Sequence, residues 1–180
     1  LLTSLDTLEL YASGAHYVLD WAPPAVMGSA PVKRWMRFML RKAMQVHRDG
    51  RHDAARLLYQ QLLDADPMQA DALHLMGVLE AELGDYERAA QLIGDAILAQ
   101  PQEAMFHNNL GNVCMESGRF EEAKASYVRA IQANPDRPDT LNNLGVLLSR
   151  RGQPEDAEKL FKAVLSLATE FRDARQNLAN

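Results

Sequence analysis

Residues 106–135 read FHNNLGNVCMESGRFEEAKASYVRAIQANP. Moved 34 positions forward, the same pattern falls on TLNNLGVLLSRRGQPEDAEKLFKAVLSLAT; moved 34 back, it falls on ALHLMGVLEAELGDYERAAQLIGDAILAQP. Self-similarity at a fixed period of this length is the mark of stacked repeats, in which each unit buries its apolar faces only against its neighbours. The repeat therefore decides the fold class before composition or any single motif does.

Working outward, whole columns keep step. Gly50, Gly84, Gly118 and Gly152 recur every 34 residues, as do Pro67, Pro101 and Pro135, with Thr169 in the fourth place. Ala55, Ala89, Ala123 and Ala157 form an alanine column, and Tyr59, Ile93, Tyr127 and Phe161 a bulky one. Ala43, Gly77, Gly111, Gly145 and Ala179 form a small one. A glycine between two apolar-periodic runs marks a helix end, where a left-handed residue is needed. The acids that follow, Glu87, Glu121, Glu122, Glu155 and Asp156, suit the positive end of the next helix. Each proline stops the second helix of a pair. The small column lets two helix backbones approach, and the bulky column fills the space opposite. Antiparallel helix pairs are predicted near 32–49/52–65, 69–83/86–99, 103–117/120–133 and 137–151/154–168, with a further helix from 171 to 180.

Over residues 36–180 these small, bulky, glycine, alanine, aromatic and proline columns resemble the tetratricopeptide repeat family. The resemblance implies an all-α fold, a right-handed superhelical solenoid of stacked antiparallel helix pairs, preceded here by a non-repeat helix. The expected division is a non-repeat helix over 1–20, a Pro-rich linker over 21–31, a divergent first repeat over 32–68, and repeats over 69–102, 103–136 and 137–170. The first helix of a fifth repeat follows over 171–180. The first repeat departs from the family pattern, with Met39, Lys42 and Val46 where large packing residues are usual.

The resemblance also implies that the first helix of each pair lines a concave groove. Helical periodicity then places His74, Met105, Asn108, Asn109, Asn112, Asn142, Asn143, Arg150 and Asn177 on that face. Asn109, Asn143 and Asn177 repeat at 34, with Asn108, Asn142 and Gln176 beside them. Asparagine is a mediocre helix former, so paired asparagines in mid-helix call for a reason. Each amide offers two donors and an acceptor, which suits the N–H and C=O groups of an extended peptide. The arrangement is similar to the asparagine ladder of O-GlcNAc transferases, where such amides hold an extended substrate. The alternative is that the amides bond to each other or to neighbouring turns. They are expected to add little to the fold.

The chain of 180 residues is 47 % hydrophobic and 24 % charged, with a net charge of −5 and a pI near 5.5. That balance argues against general nucleic-acid affinity. The charge is uneven: residues 33–51 carry seven cations against one acid, and 53–103 carry ten acids against two arginines. Arg37, Arg41 and Arg48 step along one helix face and form a candidate patch for an anionic partner; the alternatives are a solvated face or pairing with the acidic second repeat. The combination of Lys, Asn and Arg that makes a carboxylate clamp in this family is not present across adjacent repeats. Cys114 is the only cysteine, so neither an intrachain disulfide nor a Cys-based zinc site can form. No histidine pair has one-turn spacing for a metal, and no phosphate loop, nucleophile elbow or paired carboxylate is present. No apolar run approaches the roughly 20 residues of a membrane span.

The expectation is a non-catalytic interaction module, with no cofactor and no metal, binding an extended peptide or a partner helix in its groove. Its partner is a protein or peptide, not nucleic acid or membrane, and a cytoplasmic location is expected. Two alternatives stand beside it. The chain could be the N-terminal substrate-presenting region of a larger glycosyltransferase-like enzyme. It could also form a homodimer through residues 1–20 or through the open C-terminal face.

Overall fold

A computed structural model describes residues 29–179. The expected helix over 1–20 and residues 21–28 of the linker lie outside the described residues, as does the homodimer contact proposed for 1–20. Among the described residues the secondary structure is helical throughout: α1 Ser29–Arg48, α2 His52–Ala65, α3 Ala70–Glu82, α4 Tyr86–Ala99, α5 Ala104–Glu116, α6 Phe120–Ala133, α7 Pro138–Arg150, α8 Pro154–Leu167 and α9 Arg172–Ala179. The fold is all-α, built of helix pairs. One expectation is corrected: α1 begins at Ser29, so residues 29–31 belong to a helix and not to the linker. Pro31 does not prevent this. The first turn of a helix has no intrahelical use for its N–H groups, so the missing donor costs nothing there.

The ends of the helices follow from local chemistry. At the α5–α6 corner, Gly118 has φ of 77°. Its N–H reaches Met115 O at 3.2 Å, and Arg119 N–H reaches Cys114 O at 2.8 Å. These are the paired bonds that close a helix on a left-handed glycine. The same sign of φ recurs at Gly50, Gly84 and Gly152. At the start of α4, Asp85 accepts from Arg88 N–H at 3.0 Å, satisfying one orphan donor of the first turn.

The described residues divide into two compact units, one ending at Ala72 and one beginning at Leu73. In the first, α1 and α2 enclose Trp35, Met39, Ala43, Val46, Ala55, Leu58, Tyr59 and Leu62, all buried. His47 Nδ1 lies 3.2 Å from Tyr59 Oη, so the ring anchors the phenol at the helix corner. In the second unit the glycine and bulky columns meet as expected. A methyl group on Gly111 would stand 2.5 Å from Tyr127 Cε1, and one on Gly145 would stand 2.5 Å from Phe161 Cε1. Gly77 has the same relation to Ile93, at 2.7 Å. The helices of each pair are thus closer than any side chain at these positions would allow. A core of Cys114, Ala123, Tyr127, Leu141, Leu144, Leu147, Leu148, Ala157, Phe161, Val164 and Ala174 runs on from α5 to α9.

Candidate functional site: an amide ladder beside a small cleft

The second unit carries its polar chemistry on the first helix of each pair. The asparagines of α5, α7 and α9 do not stand alone; they join consecutive repeats. Asn109 Nδ2 lies 2.7 Å from His74 Nε2, Asn143 Nδ2 lies 3.3 Å from Asn108 Oδ1, and Asn177 Nδ2 lies 3.0 Å from Asn142 Oδ1. Each of these pairs is 35 residues apart. The second amide of one repeat therefore donates to the first polar position of the repeat before it.

Cross-links complete the network. Asn108 Nδ2 donates to Asn109 Oδ1 at 3.2 Å, and Asn143 Nδ2 donates a second time, to Asn112 Oδ1 at 3.0 Å. Tyr127 Oη donates to the same Asn112 oxygen at 2.8 Å. The result is a chain of donors running Asn143 to Asn108 to Asn109 to His74. His74 ends it as an acceptor. Burial holds that imidazole neutral, with its pKa lowered to about 4, although Glu103 acts in the opposite direction. The ring also stacks on Phe106, with centroids 4.6 Å apart.

This geometry revises the expected groove face. Asn108, Asn142 and His74 are buried, at 4 %, 7 % and 3 % exposure, and are committed to bonds between repeats. They contribute to the fold, contrary to the expectation that the amides add little to it, because a buried amide left unpaired is costly. Asn109, Asn112, Asn143 and Asn177 are half-buried, and Met105 and Arg150 are exposed. Arg37, Arg41 and Arg48 are exposed on α1 in the other unit, where Arg48 Nη2 donates to Gln45 Oε1 at 2.8 Å.

Between α3 and α5 lies an open cleft of about 260 Å³. Val78, Ala81, Ile93 and Val113 form its apolar walls, and Tyr86, Asn109, Asn112, Glu82 and Glu116 also line it. Glu82 and Glu116 are the two acidic residues of that lining. They occupy the same place 34 residues apart, and that spacing is the signal that links them.

Cys114 is 1 % exposed, and burial raises its thiol pKa. A protonated, enclosed thiol is a core side chain and not a nucleophile. Among the described residues no three His, Cys, Asp or Glu side chains converge as a metal site, and no helix is long and apolar enough to cross a membrane.

Two family models match the sequence, both described as tetratricopeptide repeat, over residues 47–111 and 102–174. Together they span well over half of the chain. No curated protein matches it. Among solved structures, PilF of Pseudomonas aeruginosa is similar at 22 % identity and a TM-score of 0.77, over 82 % of this chain and 67 % of that one. A crystal structure of MamA is similar at 21 % identity and a TM-score of 0.69, over 76 % of this chain and 80 % of that one. These two likenesses bear on the fold alone. A mutant O-GlcNAc transferase of Thermobaculum terrenum is similar at 30 % identity and a TM-score of 0.72. That match covers 78 % of this chain but only 27 % of that one.

Proposed function

The chain belongs to the tetratricopeptide repeat family, a protein–protein interaction scaffold that is generally non-catalytic, and from that premise we propose that the half-buried amides of α5 and α7 hold the backbone of an extended peptide. One observation carries this reading: the bonds between repeats fix which atom each amide turns outward. Asn143 spends both N–H groups, on Asn108 and Asn112, and keeps Oδ1 as an acceptor. Asn112 Oδ1 takes two donors, from Tyr127 and Asn143, which leaves Nδ2 as a donor. A donor and an acceptor side by side match the C=O and N–H of an extended strand and ask for no particular side chain. Because the amides are already oriented, only the peptide loses freedom on binding.

The test begins with dodecapeptides selected from a random display library on the full chain. Affinity is then measured by fluorescence anisotropy. Asn109→Ala with Asn143→Ala is expected to weaken binding by about tenfold, the loss of one or two hydrogen bonds. N-methylation of a central peptide nitrogen is expected to do the same. If both changes leave affinity intact, the amides do not read a backbone.

A second reading rests on the likeness to O-GlcNAc transferase repeats at 30 % identity. On this reading the chain is the substrate-presenting region of a larger glycosyltransferase-like enzyme. Sequencing the gene beyond residue 180 tests it: a nucleotide-sugar domain there is the expected result, and its absence disposes of the idea.

A further inference from the structure

We propose that the cleft between α3 and α5 receives an arginine side chain of the bound peptide, an inference that rests on the groove reading above and adds a side-chain preference to it. At about 260 Å³ the cleft falls below the roughly 300–1,000 Å³ usual for small-molecule sites. It is scaled to one long side chain. Its walls, Val78, Ala81 and Val113, are apolar, while Glu82 and Glu116 bring two carboxylates to it. An apolar passage with negative charge suits a residue with an aliphatic stem and a cationic head. Asn109 adds an acceptor, since its Oδ1 takes one donor, from Asn108, and an amide oxygen has two lone pairs.

The carboxylate of Glu116 and the amide oxygen of Asn109, with the negative charge of Glu82 beside them, suit several donors held in a plane. The guanidinium supplies these in a fixed fork, whereas an ammonium is a compact point charge. The site is also local. Glu82 and Glu116 share a repeat position, and the next member of that column is Arg150. The acidic character thus belongs to the junction of the second and third repeats and reverses at the following one. A bound strand is read there for positive charge, not along its whole length.

The experiment uses N-acetyl-arginine methylamide as the probe, titrated into the ¹⁵N-labelled full chain and followed by amide chemical shifts. Saturable shifts at Val78, Val113 and Glu116 are expected. The lysine analogue should bind more weakly, and the uncharged norleucine analogue, which keeps only the aliphatic stem, should not saturate. Glu116→Gln should weaken the arginine probe by about two- to fivefold, the range of an exposed ion pair. Adding Glu82→Gln should weaken it further, and raising salt should weaken it in the parent chain. Norleucine binding as well as arginine, absence of saturable shifts, or an unchanged affinity in the double variant would each overturn the proposal.

The selected peptides separate this idea from the groove reading. Loss on replacing their arginine but not on N-methylation keeps the cleft and removes the backbone contact. Loss on N-methylation alone does the reverse.

Discussion

Replacing Gly111 by alanine asks whether the close approach of α5 and α6 is a true constraint. The added methyl carbon would lie 2.5 Å from Tyr127 Cε1, 2.6 Å from Cδ1 and 3.0 Å from Cζ. Ordinary carbon contacts are about 3.5–4.0 Å, so the ring has to retreat by about an ångström. Tyr127 is fully buried and its hydroxyl is held by Asn112. Overpacking of this kind costs about 1–3 kcal/mol, and weakening the phenol bond adds about 1 kcal/mol. Against this, alanine is the better helix former by about 1 kcal/mol. The net expectation is a loss of about 1–3 kcal/mol. Gly94 in α4 supplies the control, since a methyl there meets nothing within 4 Å. Gly94→Ala should stabilise by up to about 1 kcal/mol, propensity acting alone. Urea unfolding followed by far-ultraviolet circular dichroism measures both. With a slope of about 2 kcal/mol per molar urea, a 2 kcal/mol loss lowers the midpoint by about 1 M. If Gly111→Ala is as stable as the parent, or gains as much as Gly94→Ala, the steric argument is refuted.

Two other outcomes follow from buried titratable groups. The pKa of His74 is lowered to about 4 from 6.5 on folding, so the unfolded chain binds more protons between those values. Its contribution is fully present above pH 6.5 and is lost as pH falls towards 4, by up to about 3 kcal/mol. Urea midpoints at pH 7, 5.5 and 4 should show a steeper fall for the parent than for His74→Gln, and equal slopes would contradict the assignment. Cys114, buried and with its thiol pKa raised, should react with a disulfide reagent at least about 100-fold more slowly in the folded chain than in urea, the factor set by an opening cost of about 3 kcal/mol. Comparable rates in the two states would show that α5 opens easily.

Much of the fold was legible because its determinants repeat. Gly118 and Gly111 announce themselves by recurring every 34 residues, and each has one mechanical role: one turns the chain and the other admits Tyr127. The amides were legible as a column but not in what they do. A 34-residue spacing shows that Asn109 and Asn143 are equivalent, yet the bonds join positions 35 apart, and that offset depends on how one helix stacks on the next. For the same reason His74 did not stand out as the end of the ladder, although it shares a column with Asn108 and Asn142. The start of α1 was misplaced because proline is a weak stop signal in a first turn. The cleft required three-dimensional packing, since the 34-residue spacing of Glu82 and Glu116 says nothing of the walls between them.

The one-way order of the ladder has a consequence for how such a chain can grow. The third and fourth repeats each offer an acceptor to the unit after and a donor to the unit before, so the two halves of such a junction are encoded in a single stretch of gene. A tandem copy of that stretch arrives with both halves in place. The array can lengthen by duplication without a new interface having to be invented, and amides that bridge repeats keep their partners whichever copy lies next to them.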